Sequence, residues 1–135
     1  MFSRFGSNMK SKIGFAALLL AACASEVHRI PVEFSSSDPG ANLRLVLNQS
    51  VEVVLDSRYR RSIREGTEFV EAGVIKQGKI LKPVNATLTV EGAHMHEAYP
   101  VLEGARIVGF YLPVERAFAP LSRTVSVTLT PKEEK

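Results

Sequence analysis

Residues 124–130, Thr-Val-Ser-Val-Thr-Leu-Thr, decide how this chain folds. Val125, Val127 and Leu129 alternate with Ser126, Thr128 and Thr130. Successive side chains of a strand point to opposite faces, so this spacing turns one apolar face to a core and one hydroxyl-bearing face to water. On a helix Val127 would fall on the side opposite Val125 and Leu129. The same period recurs upstream: Val51, Val53 and Leu55 alternate with Glu52 and Val54, and Ala86, Leu88 and Val90 with Thr87, Thr89 and Glu91. Turn signals separate the runs, at Asn48-Gln49-Ser50, Glu65-Gly66, Gln77-Gly78, Glu91-Gly92, Glu103-Gly104 and Pro120-Leu121-Ser122. The spacing predicts strands near 43–47, 51–56, 67–75, 79–84, 86–91, 94–102, 105–112 and 124–130. The expected fold is all-β, a small antiparallel β-sandwich or barrel of about seven or eight short strands, following a cleaved N-terminal signal helix.

Individual residues refine this expectation. Proline lacks the donor that a central ladder needs, so Pro83, Pro100 and Pro113 are expected at sheet edges or strand ends. Gly73 and Gly109, inside apolar runs, mark bulges or sharp bends. Val114–Phe118, bounded by Pro113 and Pro120, is the one expected helical turn. The chain has no tryptophan, so Phe69, Phe110, Tyr111 and Phe118 are expected to supply much of the bulk of the core.

The N-terminus is of a different kind. Arg4, Lys10 and Lys12 form a basic segment with no acidic residue, and Ile13–Ala22 is almost wholly apolar. Ten such residues fall short of the roughly 20 that a helix needs to span a bilayer, and the order basic-then-apolar is that of a cleaved export signal. Residues 1–22 are therefore expected to be a signal peptide, 23–41 a lead-in or tether rich in Ser, Pro and Gly, 42–130 the β-domain and 131–135 a charged tail. Within the lead-in, Val27, Ile30, Val32 and Phe34 are apolar enough for part of it to dock as an edge strand.

Leu20-Ala21-Ala22-Cys23 resembles the lipobox of bacterial lipoproteins. That resemblance implies cleavage between Ala22 and Cys23, a diacylglycerol thioether on Cys23 and an N-acyl chain on its new amino group, with no other cofactor. Each buried methylene of such an anchor contributes roughly 0.8 kcal/mol, and two or three chains hold where one is marginal. Ala24, in place of an aspartate, implies an outer-membrane destination with the domain facing the periplasm. The run His96–Ser122 is similar to small uncharacterised lipoproteins of proteobacteria, a likeness that implies no activity.

Removing the leader changes the charge. The whole chain has 17 basic and 14 acidic residues and a net charge of +3. Three of the basic residues lie in 1–22, which leaves 14 of each sign in the mature chain. The basic balance of the precursor is thus no nucleic-acid signature, and no nucleic-acid partner is expected. Cys23 is the only cysteine, so no internal disulfide can form.

The candidates for chemistry are few. His94 and His96 are two apart, so a regular strand would turn both to one face, with roots roughly 7 Å apart. The expectation is two half-exposed histidines on a solvent face, with copper or zinc capture as the alternative. A dedicated metal centre needs further ligands and groups to orient them. His94-Met95-His96-Glu97 through Gly104 resembles part of the first cupin motif. Cupins separate the pair from the glutamate by three or four residues where this chain has none, and no histidine follows His96, so no metal role is carried over. Arg58, Arg60, Arg61 and Arg64 form the densest charge cluster, suited to phosphate headgroups or an acidic partner and equally to a solvated hairpin end. No nucleophile elbow or phosphate-cradling loop is present. The expectation is a non-catalytic, outer-membrane-anchored accessory that binds an envelope protein, for example by accepting a strand at an exposed edge near Pro83 or Pro100. The alternatives are a copper- or zinc-binding lipoprotein using His94 and His96, and an inhibitor of a periplasmic enzyme such as lysozyme.

Overall fold

The computed structural model describes residues 26–37 and 43–132. Residues 1–22, Cys23 and the last three residues of the tail lie outside the described residues. Within them the chain is all-β, with thirteen short strands and no helix. They are β1 (Ile30–Pro31), β2 (Ser35–Ser36), β3 (Leu45–Leu47), β4 (Val51–Val54), β5 (Arg60–Ile63), β6 (Glu68–Ile75) and β7 (Gly78–Pro83). After them come β8 (Thr89–Glu91), β9 (Met95–Glu97), β10 (Tyr99–Glu103), β11 (Arg106–Leu112), β12 (Ala117–Ser126) and β13 (Leu129–Pro131).

Nine strands form one antiparallel sheet in the order β1-β12-β11-β10-β7-β6-β3-β13, with β2 also on β6. The hairpins β4–β5 and β8–β9 form separate two-stranded sheets. The large sheet is not closed into a barrel, and the arrangement is sandwich-like. Two strand pairs, Val101 with Ile80 and Leu102 with Lys79, join β10 to β7. Beyond them this ladder opens, at the two prolines. Pro100 next to Val101 and Pro83 at the end of β7 have no N–H to extend the pairing. They therefore sit at an internal seam, since β7 and β10 are both flanked on two sides. The expected strand-accepting edges near Pro83 and Pro100 are absent for that reason.

Bulges divide the apolar residues between two clusters. Phe69 and Ile75 are six apart on β6, and a regular strand would place them on one face. They lie in different clusters because the register shifts between Glu71 and Gly73. On β11 a shift between Ile107 and Gly109 does the same, sending Ile107 to one cluster and Tyr111 to the other. An extra residue reverses the sidedness of everything after it, and the two glycines expected to mark bulges do so. The larger cluster, with Phe69, Phe110, Val53, Ile63 and Val90, packs between the large sheet and the two hairpins. The smaller, with Ile75, Ile80, Val101, Tyr111 and Phe118, lies on the other face. All four expected bulky residues are buried.

That second face is crossed by residues 26–37. Ile30 and Pro31 pair with Phe118 and Ala117 of β12, and Ser35 and Ser36 with Val74 and Gly73 of β6. From β1 to β2 across the sheet is six strand spacings, roughly 29 Å if flat. The four residue steps from Pro31 to Ser35 reach at most about 14 Å. Both β1 and β2 can pair with their partners only if the sheet curls toward this strap. Val27, upstream of the strap, is buried in the larger cluster. The lead-in docks at both margins rather than at one edge.

Three further differences have local causes. Arg60–Ile63, expected as a turn region, is strand β5, because Ile63 and Val53 fill the core while Arg60 pairs with Glu52 at 2.8 Å across the hairpin. The helical turn expected over Val114–Phe118 is a single α-turn that ends at Arg116. Pro113–Arg116 is a tight turn closed by Arg116 N–H donating to Leu112 O at 2.8 Å, and Ala117 and Phe118 begin β12. The expected strand 94–102 is two strands, since β9 pairs with β8 and β10 with β11 and β7.

Candidate functional site

The two histidines part company. His94 is exposed in a bend before β9, while His96 is buried at 6% exposure and pairs with Val90. The expectation of two half-exposed imidazoles on one face is thus overturned. β9 begins only after His94, and the hairpin with β8 turns His96 inward alongside Ala98. The imidazole Nδ1 lies 2.9 Å from Glu115 Oε2. His96 Nε2 and Glu115 Oε1 are buried without a protein partner. This pair bolts the β8–β9 hairpin to the turn between β11 and β12. Nothing in the spacing of the sequence linked His96 to Glu115, 19 residues away and on a turn expected to be helical. Among the described residues no group of three or more His, Cys, Asp or Glu side chains stands together as a metal cage.

The same turn presents its next residue elsewhere. Arg116 adopts the left-handed conformation at φ 55°, and its carbonyl accepts from Val32 N–H of the strap at 3.2 Å. The residue lines a cleft of about 750 Å³ between strap and sheet. Phe34, Tyr99, Tyr111 and Pro113 supply apolar and aromatic walls, and Glu33 a carboxylate. Phe34 stacks on Tyr111 with ring centroids 5.5 Å apart and planes 17° from parallel. It can lie there because Gly73 beneath it has no side chain. A Cβ at Gly73 would stand 2.4 Å from the Phe34 ring. Phe34 nevertheless remains 43% exposed.

Tyr99 donates its hydroxyl to Glu97 Oε2 at 3.2 Å. Burial, followed by the adjacent Glu97 carboxylate, holds the phenol above its ordinary range. Tyr99 is therefore a neutral hydrogen-bonding group throughout the physiological range. A second, smaller cleft of about 570 Å³ lies on the other side of the strap, against Val74, Lys76 and Gln77. The strap thus divides the open face into two grooves.

The arginine cluster is dispersed by the fold. Arg60 faces Glu52, Arg61 reaches Thr87 O at 3.5 Å, and Arg58 and Arg64 are exposed at opposite ends of β5. Arg58 is held at φ 73° in the turn after Leu55. Next to it Asp56 lies 3.5 Å from His28 at the start of the strap.

No protein-family model matches the chain, and no curated protein or solved structure matches it. The candidate site rests on its own geometry.

Proposed function

We propose that this chain is a lipid-anchored, non-catalytic interaction protein of the bacterial outer membrane, which holds a β-domain against the periplasmic leaflet. The sequence Leu20-Ala21-Ala22-Cys23 supports the anchor. The carrying observation is that Val27, four residues beyond Cys23, is a core residue at 3% exposure. Four residues reach at most about 14 Å, so a lipid on Cys23 would keep the domain close to the headgroups.

The antiparallel pairing of β1 with β12 then gives the domain a polarity. Val27 and His28 stand by the Asp56–Arg58 turn, and the strap runs from there to Val32 beside Arg116, about 17 Å further in extended chain. The end with the clefts and the β11–β12 turn points away from the anchor. Val114 on that turn is 77% exposed and Met95, next to His96, is 65% exposed. Apolar side chains displayed so fully suit a protein partner.

The test has two parts. Mass spectrometry of the protein taken from membranes is expected to find Cys23 N-terminal and triply acylated, and Cys23→Ser is expected to release the chain from the membrane fraction. Crosslinking from position 114 is expected to capture an envelope protein. An unmodified thiol would refute the anchor. Acylated protein that remains monomeric under crosslinking would refute the partner.

A further inference from the structure

We propose that the larger cleft is a binding site for a small amphipathic carboxylate, a ligand in which one carboxylate is joined to an apolar or aromatic body. This does not depend on the anchor. At about 750 Å³ the cleft falls in the range of small-molecule sites, roughly 300–1,000 Å³. Its apolar wall is already assembled. Phe34 is stacked on Tyr111 and rests on Gly73, where no side chain can intervene. Phe34, still 43% exposed, offers with Pro113 an apolar surface to a planar or aliphatic body.

The polar groups select the rest of the ligand. Arg116 has no carboxylate partner and no side-chain hydrogen bond among the described residues. Arg29, Arg44 and Arg60 each face an acid, whereas Arg58, Arg64, Arg106 and Arg123 share the lack of one, and of the unpartnered arginines Arg116 is the one that lines the cleft. A guanidinium left open at the rim of an aromatic-walled cleft is a fork for a carboxylate. Glu33 lines the same cleft, so the formal charge of the lining is balanced, which favours a monoanion over a doubly charged phosphate. Tyr99 lines the same wall, with its hydroxyl already donated to Glu97 Oε2.

The chain contains no tryptophan and three tyrosines, two of which, Tyr99 and Tyr111, line this cleft. Tyrosine fluorescence of the full chain therefore reports on it directly. N-acetylphenylalanine is expected to change that emission saturably, with a dissociation constant on the order of 1 mM or tighter. Its uncharged counterpart, N-acetylphenylalaninamide, is expected to bind about tenfold more weakly. Arg116→Asn, which keeps a residue tolerant of the left-handed conformation, is expected to weaken the acid about tenfold and leave the amide unchanged. Acetyl-Ala-Ala-Phe distinguishes the sources: tighter binding than the single residue identifies a chain terminus as the ligand, and equal binding a free acid. Absence of a saturable change, or equal affinity of Arg116→Asn and the parent for the acid, would overturn the proposal.

Discussion

The two faces of the large sheet are covered in different ways. One is roofed by the hairpins β4–β5 and β8–β9, which send Val53, Ile63 and Val90 into a common core with Phe69 and Phe110, all at 2% exposure or less. The other is crossed by a single strap held by two residue pairs at each margin. A hairpin brings two strands' width of side chains and seals the face. One strand brings half of that, so Phe34 remains partly exposed and a cleft opens on each side. The difference teaches that stability and a binding surface are drawn from opposite sides of the same strands. Phe110 and Tyr111, neighbours on β11, serve one each.

The largest expected effect breaks the sealed side. Phe110 is fully buried, and Phe110→Ala is expected to destabilise the fold by about 3–5 kcal/mol, read by chemical denaturation. A smaller effect is expected on the strap side. In Gly73→Ala the new Cβ would stand 2.4 Å from the Phe34 ring and from Ser35 O. The backbone oxygen can yield only by opening the pairing of β2 with β6. A loss of about 1–3 kcal/mol is expected, with amide exchange faster at Ser37, whose N–H donates to Ala72 O, while the sealed core keeps its protection. Equal acceleration in both regions would show that the strap and the core unfold as one unit.

The bolt between the two regions comes next. Glu115→Ala leaves the His96 ring buried with neither nitrogen partnered, and a loss of about 1–2 kcal/mol is expected. His96→Leu together with Glu115→Leu is expected to recover most of it, because both unpartnered polar atoms leave with the pair. Thermal denaturation of the three proteins tests this.

The smallest effect lies at the margin where β3, β6 and β13 meet. Lys132, foremost by its hydrogen bond, and then Arg44 hold the Glu68 carboxyl below its ordinary range. A carboxyl lowered by folding adds stability that is present above the unfolded pKa and disappears as the pH falls through the folded one. Lys132→Ala is therefore expected to titrate Glu68 at higher pH by NMR and to flatten the acid limb of the stability profile.

Much of the fold was legible in local pattern. The alternation at 51–55 and 125–129 describes extended chain whose two faces differ in polarity, the turns at Gln77-Gly78 and Glu103-Gly104 join the paired strands β6–β7 and β10–β11, and that at Gly66 separates β5 from β6, which lie in different sheets. Gly73 and Gly109 announced the bulges. The runs 60–63 and 117–123 were missed, the turn expected at Pro120-Leu121-Ser122 lies inside β12, and the one strand expected over 124–130 is divided between the end of β12 and β13. In β5 two of the four residues are arginines, whose stems line a hairpin that only its packing defines. Pro113 and Pro120 masked the start of β12. The site was less legible. Phe34 reaches Tyr111, and His96 reaches Glu115, across separations of 77 and 19 residues, and no local spacing encodes either contact.

Taken alone, the amino-acid order settled that the chain is all-β and where some of its strands reverse, at Gln77-Gly78 and Glu103-Gly104 among them, because backbone pleating and turn geometry are short-range and depend on neighbours along the chain. Which margins the strap spans, which histidine is buried, and that Arg116 opens onto an aromatic cleft were decided in three dimensions. Those outcomes depend on how far a sheet with two bulges must curl before a strap of three residues can bridge it.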